Sequence, residues 1–339
     1  MKAIRIGIMG FGQVGRQIYK LTLEDERFDV AAISDIGKPE ILCHLLNKTM
    51  GPGDSVTLKD NYLVSDRMQT RLMPADHPTD IPWDVFDVDV VVDATGRFRT
   101  ADELEPHIVN GARRVVTSAL PEGDIDRVIL YGVNQDQAKS SDRIVSAGSA
   151  STTATVLALK TISDAYEIEH VSMTSVHAYT SDQSLQDYAG ADYRRSRSGA
   201  ENIIPNDTPA LHWVQQVLPM MQGRMTAYAL NVPVQTGSML DITFALATSN
   251  LNLDSIKNLF VQAADENPEL IGVTNDPIVS SDVKGIPYSL LVDLDGCMLA
   301  GNSFVKVLAW HETQGHARRI LDVVATYAQL DENQYKEAS

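Results

Sequence analysis

The sequence has few cysteines, few basic residues relative to acidic ones, and no long hydrophobic run. Cys43 and Cys297 are the only cysteines in 339 residues, too few for a disulfide framework or a cysteine-rich metal site. The chain has 28 lysines and arginines but 45 aspartates and glutamates, so the formal net charge is −17. Nucleic acids and anionic membranes would repel such a chain, and we expect neither as a partner.

Two further absences concern membranes and secretion. No apolar stretch reaches the roughly 18 residues that predict a membrane span. The opening segment MKAIRIGIMGFG has too short an apolar run for a secretory signal and leads directly into a fold element. We therefore expect a cytoplasmic protein without a metal centre.

The apolar residues that are present suffice for two hydrophobic cores. The chain is 44% hydrophobic and 22% charged, and its length exceeds that of a typical single domain. Up to about residue 149, short apolar runs alternate with segments that have the spacing of helices. This pattern predicts an α/β domain with a doubly wound parallel sheet. Later runs, including 170–176 and 239–247, alternate apolar with polar residues and predict an α+β domain with a mainly antiparallel or mixed sheet.

These patterns suggest a division of the chain into three parts. We predict a dinucleotide-binding Rossmann domain over residues 1–149 and a catalytic-type domain over residues 150–316. A C-terminal helix over residues 317–339 is expected to pack back on the first domain.

A glycine-rich motif lies between the first predicted strand and the first predicted helix. It has the GxGxxG pattern of dinucleotide-binding loops and consists of Gly10, Phe11, Gly12, Gln13, Val14 and Gly15. Such glycines allow a tight turn, the approach of a pyrophosphate to the backbone, and close packing of helix on strand. The N–H groups of the following helix then favour the phosphates. The motif alone is weak, but its position between a strand and a helix supports the interpretation.

An acidic residue stands at the distance expected for a nucleotide ribose. Asp35 lies twenty residues beyond Gly15, at the end of the second predicted strand. Its carboxylate can accept hydrogen bonds from ribose hydroxyls and would repel a 2′-phosphate, which favours NAD, with NADP as the alternative. Thr95, Gly96 and Ser118 follow later strands and are expected at the same edge of the sheet.

The assembled motifs resemble those of the glyceraldehyde-3-phosphate dehydrogenase family over nearly the whole chain. In the first half these are IRIGIMGFGQVGR, VVVDATGRF, GARRVVTSA and YGVNQD. In the second half they are SVHAYTSDQ, DYRRSRSGAENIIP, YALNVPV and FVKVLAW. The resemblance implies an NAD-dependent aldehyde dehydrogenase, a catalytic domain with eight or nine strands, and a homotetramer.

The segment SAGSASTTATVLAL, residues 146–159, is by itself either a packed helix start or a nucleophile loop. The resemblance assigns it to the nucleophile loop and places the catalytic cysteine of the family at Ser151. His177 then matches the catalytic histidine. A hydroxyl is much harder to deprotonate than a thiol, and no orienting carboxylate for a triad is evident.

Other positions that the resemblance assigns to ligands also differ. The family's phosphate-binding arginine falls at Asn231, and its nicotinamide-orienting asparagine falls near Thr313. The substrate or anion positions implied by the resemblance are Thr152, Thr180, Arg197, Thr208 and Asn231. Arg197 also has a simpler interpretation, in which it and its neighbouring arginines hold an interface loop together.

Three functions therefore remain open from the sequence. The favoured one is an NAD(P)-binding protein of the aldehyde oxidoreductase type whose phosphorylating activity is lost or very weak. The second is an active NAD-dependent dehydrogenase on a different, unphosphorylated aldehyde. The third is a non-catalytic homologue that senses nucleotide or binds a partner protein.

Overall fold

The structure, a computed structural model, describes residues 3–51, 55–180, 183–248 and 250–338. The chain divides into two compact units. One contains residues 1–149 and 316–339, and the other contains residues 150–315. His316 therefore belongs to the first unit.

Within the described residues, the first unit contains a nine-stranded sheet in the order β3-β4-β5-β2-β1-β6-β7-β9-β8. Its strands are β1 (Ile4–Met9), β2 (Phe28–Ser34), β3 (Thr57–Lys59), β4 (Tyr62–Val64), β5 (Gln69–Met73), β6 (Val90–Asp93), β7 (Arg114–Thr117), β8 (Arg127–Val128) and β9 (Ile144–Ser146). From β5 to β8 all neighbours are parallel, which confirms the predicted doubly wound sheet.

The sequence did not predict the antiparallel strands β3 and β4 at one edge of this sheet. Each has only three residues, too few for a clear alternation of apolar and polar side chains. Asp60 and Asn61 join them in a tight turn with positive φ angles of 47° and 61°. β8 is shorter still, with only Arg127 and Val128.

The order of the parallel strands locates a crevice. The chain runs from β1 to β2 on one side and reaches β6 on the other side of β1. Such a reversal of direction opens a crevice at the carboxyl ends of the strands, where α/β proteins bind nucleotides. Gly10, Asp35, Thr95 and Ser118 each lie one or two residues beyond such a strand end.

Helices surround the first sheet. They are α1 (Gln13–Glu24), α2 (Pro39–Asn47), α3 (Ala101–Val109) and most of α7 (Thr313–Ala338), with short 3-10 turns at Pro78–Asp80, Trp83–Phe86 and Gln135–Gln137. Ile320 and Tyr327 of α7 share a buried apolar cluster with Ile6 and Ile8 of β1. The Tyr327 hydroxyl donates to Asp142 Oδ2 at 2.8 Å, so α7 is bound to this unit by apolar and polar contacts.

The second unit contains a mixed sheet, as predicted, with seven strands in its described residues and the order β11-β12-β10-β13-β16-β15-β14. They are β10 (Ile168–Ala178), β11 (Ile204–Asn206), β12 (Met225–Val232), β13 (Ser238–Leu246), β14 (Ile271–Thr274), β15 (Leu290–Ala300) and β16 (Phe304–His311). The described residues do not reach the expected count of eight or nine, and residues 183–203 form turns. Asp187 and Asp192 accept hydrogen bonds that close these turns.

The helices beside this sheet in the described part of the unit are α4 (Ala150–Ser163), α5 (Ala210–Val217) and α6 (Leu253–Glu266), with 3-10 turns at Pro219–Met221 and Ser280–Val283. Helix α4 is buried almost all round from Thr152 to Leu159 and contacts β10, β15 and β16. Only four residues, 164–167, connect its last turn to β10. This short connection places the last turn of α4 near the start of β10.

Candidate functional site

The glycine loop has a shape that only glycine permits at two positions. Gly10 has a φ of 88°, and a Cβ there would lie 2.8 Å from the backbone nitrogen of Thr95. A Cβ on Gly15 would overlap the carbonyl oxygen of Gly10. These contacts explain why the turn after β1 and the first turn of α1 both require glycine.

The middle glycine instead faces open space. A Cβ on Gly12 would meet no atom within 4 Å, and Gly12 caps α1 without a side-chain hydrogen bond. The first N–H groups of a helix have no intrahelical acceptor and attract anions. Gln13 and Val14 open the first turn of α1. This open cradle fits the pyrophosphate of a dinucleotide.

Asp35 binds the glycine loop directly. Its Oδ2 accepts from the Phe11 N–H at 2.7 Å, and its Oδ1 accepts from the Gly37 N–H at 2.8 Å. The carboxylate keeps further lone pairs that can accept from ribose hydroxyls. The Phe11 ring itself is buried and packs edge-on against Tyr19, so Phe11 contributes to the loop through its backbone.

The later loops at this edge are held by a buried aspartate and a buried histidine. Asp93 Oδ1 accepts from the Thr95 N–H at 3.0 Å and from the Thr95 hydroxyl at 2.7 Å. Nε2 of His316 lies 2.9 Å from the carbonyl oxygen of Ser118 and donates to it. Burial lowers the pKa of His316, so its imidazole is neutral near pH 7. Gly96, like Gly10, has a positive φ of 65°.

Ser151 lies in the first turn of α4 in the second unit. Its side chain is half-buried, and its carbonyl oxygen accepts from the Thr155 hydroxyl at 2.7 Å. Thr152, the next residue, is completely buried. The N-terminal position of a helix lowers the pKa of a thiol and would stabilise developing negative charge.

Neither cysteine replaces the thiol that the resemblance expects here. Cys43 belongs to α2 of the first unit, and Cys297 to β15. Both are buried, and burial raises the pKa of both thiols, that of Cys297 to about 11. Each therefore remains a protonated thiol at neutral pH.

His177 and Asn231 are paired across the parallel strands β10 and β12. Residues directly paired across neighbouring strands share one face of a sheet. The other neighbour of β10 is β13, whose Ser238 hydroxyl accepts from the Ala178 N–H at 3.2 Å. Ser238 is in turn paired with His311 of β16. We call Asn231, His177, Ser238 and His311 the polar row.

The polar row brings two imidazoles together. The ring centroids of His177 and His311 are 5.9 Å apart, and His311 is only 2% exposed. Nδ1 of His177 lies 2.6 Å from the carbonyl oxygen of Ala178. A carbonyl can only accept, so we assign the hydrogen to Nδ1, which leaves the lone pair of Nε2 for proton transfer.

The remaining anion candidates form other contacts. Nε of Arg197 donates to Asp187 Oδ2 at 2.9 Å, within the loop of residues 183–203. The Thr208 hydroxyl accepts from the Ala210 N–H at 3.2 Å at the start of α5. Thr180 is exposed just beyond β10, and Thr313 is the half-buried first residue of α7.

Sequence reasoning missed several polar residues of both units. His311 and Ser238 join the polar row only through the pairing of β13 and β16. His107 contacts Asp93 from α3, fourteen residues away along the chain. The signal for His311 was its place beside Thr313 in the segment WHETQGHA, but strand register was needed to bring it to His177.

Neither a metal-binding cluster nor a membrane-spanning helix occurs among the described residues. Among the described residues, no three His, Cys, Asp or Glu side chains are grouped so that they could hold a metal ion. None of the described helices is long and apolar enough to cross a membrane.

Comparison with known proteins bears on both units. Residues 4–101 match the glyceraldehyde 3-phosphate dehydrogenase NAD binding domain, and residues 149–313 match the C-terminal domain of the same family. A glyceraldehyde-3-phosphate dehydrogenase of Borreliella burgdorferi is 34% identical over 94% of this chain and 98% of its own. That of Streptomyces coelicolor is 35% identical, over 94% and 97%. That of Kitasatospora aureofaciens is 36% identical, over 96% and 99%.

These matches agree with the geometry of the first unit. The matched NAD binding domain contains the glycine loop and Asp35, which confirms NAD as the predicted cofactor. The identities extend over both units and over nearly the full length of the relatives. The chain belongs to the glyceraldehyde-3-phosphate dehydrogenase family.

Proposed function

We propose that this chain binds NAD but has lost efficient phosphorylating oxidation of glyceraldehyde 3-phosphate. One observation carries the proposal. The histidine at the family's catalytic position, His177, has a neutral amide as its neighbour, Asn231, where the resemblance expects an arginine. The resemblance also places Ser151 where the nucleophilic cysteine belongs.

The change at Ser151 affects the first chemical step. In the family reaction a thiolate attacks the aldehyde carbon, hydride passes to NAD, and phosphate releases the thioester. A thiol with a pKa of about 8.5 is readily ionised beside a histidine or at a helix N-terminus, whereas a serine hydroxyl requires a positioned base. An ester at Ser151 would also transfer its acyl group to phosphate less readily than a thioester.

The change at Asn231 affects recognition of phosphate. An arginine binds phosphate through two parallel charged hydrogen bonds, and a neutral amide offers neither the charge nor the fork. Arg197 lies outside the polar row, on the loop of residues 183–203, where its Nε pairs with Asp187 at 2.9 Å. Asp207 adds a negative charge next to Thr208, one of the anion positions that the resemblance implies.

A second candidate function is favoured by the polar row. Asn231, His177, Ser238 and His311 offer several hydrogen-bonding groups without a fixed positive charge. Such a surface suits the hydroxyl and carbonyl groups of an unphosphorylated aldehyde. Nε2 of His177 would act as the base for an attacking water or for the Ser151 hydroxyl.

The third candidate, a nucleotide sensor without turnover, rests on the contrast between the two units. The glycine loop and Asp35 retain the family's NAD features, while the residues of the second unit depart from the family's chemistry. Such a protein would bind NAD and report on its concentration through a partner.

We also propose a homotetramer in the cytoplasm. Apolar and aromatic side chains are exposed on and near the loop of residues 183–203, including Leu185, Tyr188, Tyr193 and Tyr228. Tyr193 is 97% exposed, which is unusual for a large aromatic side chain unless a partner covers it. Light scattering after size-exclusion chromatography tests the assembly, and a monomer would contradict it.

Two measurements distinguish the three candidate functions. The first is calorimetric titration with NAD, and the second is a screen of aldehydes with and without a phosphate group. We expect NAD to bind and glyceraldehyde 3-phosphate to give negligible NADH in the presence of inorganic phosphate. NADH formed from an unphosphorylated aldehyde would favour the second candidate, and binding without any turnover the third. Robust turnover of glyceraldehyde 3-phosphate would refute the proposal.

A further inference from the structure

We propose that Trp83, His107 and Asp93 form a buried brace that positions the Thr95 segment against the glycine loop and thereby sets the affinity for NAD. The brace consists of these three side chains, all of which are completely buried. The proposal rests on NAD binding by the first unit and is independent of the loss of phosphorylating activity.

The hydrogen bonds of the brace have one consistent direction. The indole Nε1 of Trp83 lies 3.0 Å from Nδ1 of His107, and Nε2 of His107 lies 3.3 Å from Asp93 Oδ2. An indole N–H can only donate, so Nδ1 accepts and the imidazole hydrogen is on Nε2. Nε2 therefore donates to the carboxylate, and Trp83 fixes the tautomer that Asp93 requires.

The other oxygen of Asp93 holds the nucleotide edge. Oδ1 accepts from both the N–H and the hydroxyl of Thr95, and the Asp93 carbonyl accepts from the Ser118 N–H at 2.9 Å. The backbone nitrogen of Thr95 is also the atom nearest to the position that a Cβ on Gly10 would take. Asp93 thus fixes two loops of the crevice, one of which touches the glycine loop.

The far end of the brace is fixed by packing. A Cβ on Gly7 would lie 2.5 Å from Cζ3 of Trp83, so the indole rests directly on the backbone of β1. Since Gly7 and Gly10 belong to the same strand and its following turn, both ends of the brace meet one segment of the chain. This arrangement leaves Asp93 little freedom to shift relative to Gly10.

Removing His107 would change the site through Asp93. A buried carboxylate that loses its donor must be compensated by movement or by protonation. The less buried partner of Asp93 is the half-buried Thr95 segment, whereas Trp83 is packed on β1. We therefore expect Thr95 to leave its contact with Gly10 and NAD to bind more weakly.

A purely structural role would give a different result, and matched variants distinguish the two. His107→Leu removes both hydrogen bonds, whereas His107→Gln retains an acceptor for Trp83 and a donor for Asp93. Thr70→Val is the control, because it removes a buried hydrogen bond of the same sheet, from its hydroxyl to the Val30 carbonyl at 2.7 Å, that is not part of the brace. Thr95→Val and Thr95→Ser test the end of the brace if His107→Leu does not fold.

The test is calorimetric titration of each full-length variant with NAD, together with its thermal unfolding midpoint. We expect His107→Leu to raise the Kd for NAD by about tenfold or more, as for loss of one hydrogen bond to a charged group. His107→Gln should restore most of the affinity, and Thr70→Val should lower the unfolding midpoint without changing the Kd. Thr95→Val should weaken binding and Thr95→Ser should not.

The proposal is overturned by either of two results. One is a wild-type Kd in His107→Leu, or in Thr95→Val where His107→Leu is unfolded. The other is an equal loss of affinity in Thr70→Val, which would show that general destabilisation explains the effect. An unmodified chain that bound no NAD would overturn the cofactor assignment and the brace together, while leaving the predicted absence of phosphorylating turnover intact.

Discussion

His177 and Asn231 are direct neighbours on one face of the second sheet, paired across β10 and β12. The pair joins an imidazole whose Nε2 can accept a proton to an amide that carries no charge. His311 lies on the same face, with its ring centroid 5.9 Å from that of His177. A site of this composition can transfer protons but has no fixed cation in the polar row to hold a phosphate.

Replacing Ser151 with cysteine tests whether this position activates a nucleophile. The first turn of α4 should lower the pKa of a thiol at this position below its ordinary value of about 8.5. We expect S151C to be alkylated by iodoacetamide at pH 7 about tenfold faster than the native cysteines, whose burial raises their pKa. S163C, at the other end of α4, is the matched control. Equal labelling rates for S151C and S163C would contradict the assignment.

Replacing Asp35 with asparagine should weaken NAD binding. The substitution keeps the shape but removes the charge and one acceptor from a group that binds Phe11 and is expected to bind the ribose. Loss of one charged hydrogen bond predicts a Kd about tenfold higher, measured by calorimetry. D29N is the control, since Asp29 is the second residue of the same strand and pairs with Arg5. A tenfold effect in D29N as well would show that the loss is not specific to the ribose position.

Much of the fold followed from local patterns. The glycine motif and Asp35 indicated the nucleotide edge because strand, turn and helix are consecutive in the sequence. The strands β3 and β4 were missed because three residues carry too little alternation to be recognised. The resemblance, rather than any pattern, pointed to Ser151.

The contacts that were not predicted depend on register and long-range packing. His311 reaches His177 through two strand pairings, and a slip of one residue in either would place it on the opposite face. Trp83 reaches His107 across 24 residues, through a 3-10 turn that no spacing rule predicts. Such arrangements require the three-dimensional packing of β1 and α3.

Replacing Asp142 with asparagine should destabilise the first unit at neutral pH. Burial by itself would raise the pKa of this carboxyl, but hydrogen bonds from Arg127, the Lys139 N–H and the Tyr327 hydroxyl lower it overall. Removing the charge from this partly exposed ion pair costs about 1–3 kcal/mol, which D142N should show in the free energy of unfolding by urea.

The destabilisation caused by D142N should depend on pH. The pKa of Asp142 is lower in the folded state than in the unfolded state, so its stabilisation is complete above its ordinary value of about 3.9. It is lost as the pH falls through the lower folded value. The difference between wild type and D142N should therefore shrink below about pH 4. A constant difference across that range would contradict the assignment.

Replacing His316 with glutamine should make the protein more resistant to mild acid. Burial lowers the pKa of His316, and Arg319 lowers it further, so the folded state resists its protonation. The unfolded chain binds this proton from about pH 6.5 downwards, and stability falls as the pH falls through that value. Glutamine can still donate to the Ser118 carbonyl without titrating. We expect the unfolding midpoint to decrease less between pH 7 and pH 5 in H316Q than in the wild type. An equal decrease in both proteins would refute this.

The most direct test of the central claim is the steady-state rate of NADH formation by the unmodified chain from glyceraldehyde 3-phosphate, NAD and inorganic phosphate, with NAD binding measured on the same sample. The exchange of thiol for hydroxyl at Ser151, and the amide at Asn231 beside His177, predict saturable NAD binding with a negligible phosphate-dependent rate. A robust rate that rises with inorganic phosphate concentration would contradict the account.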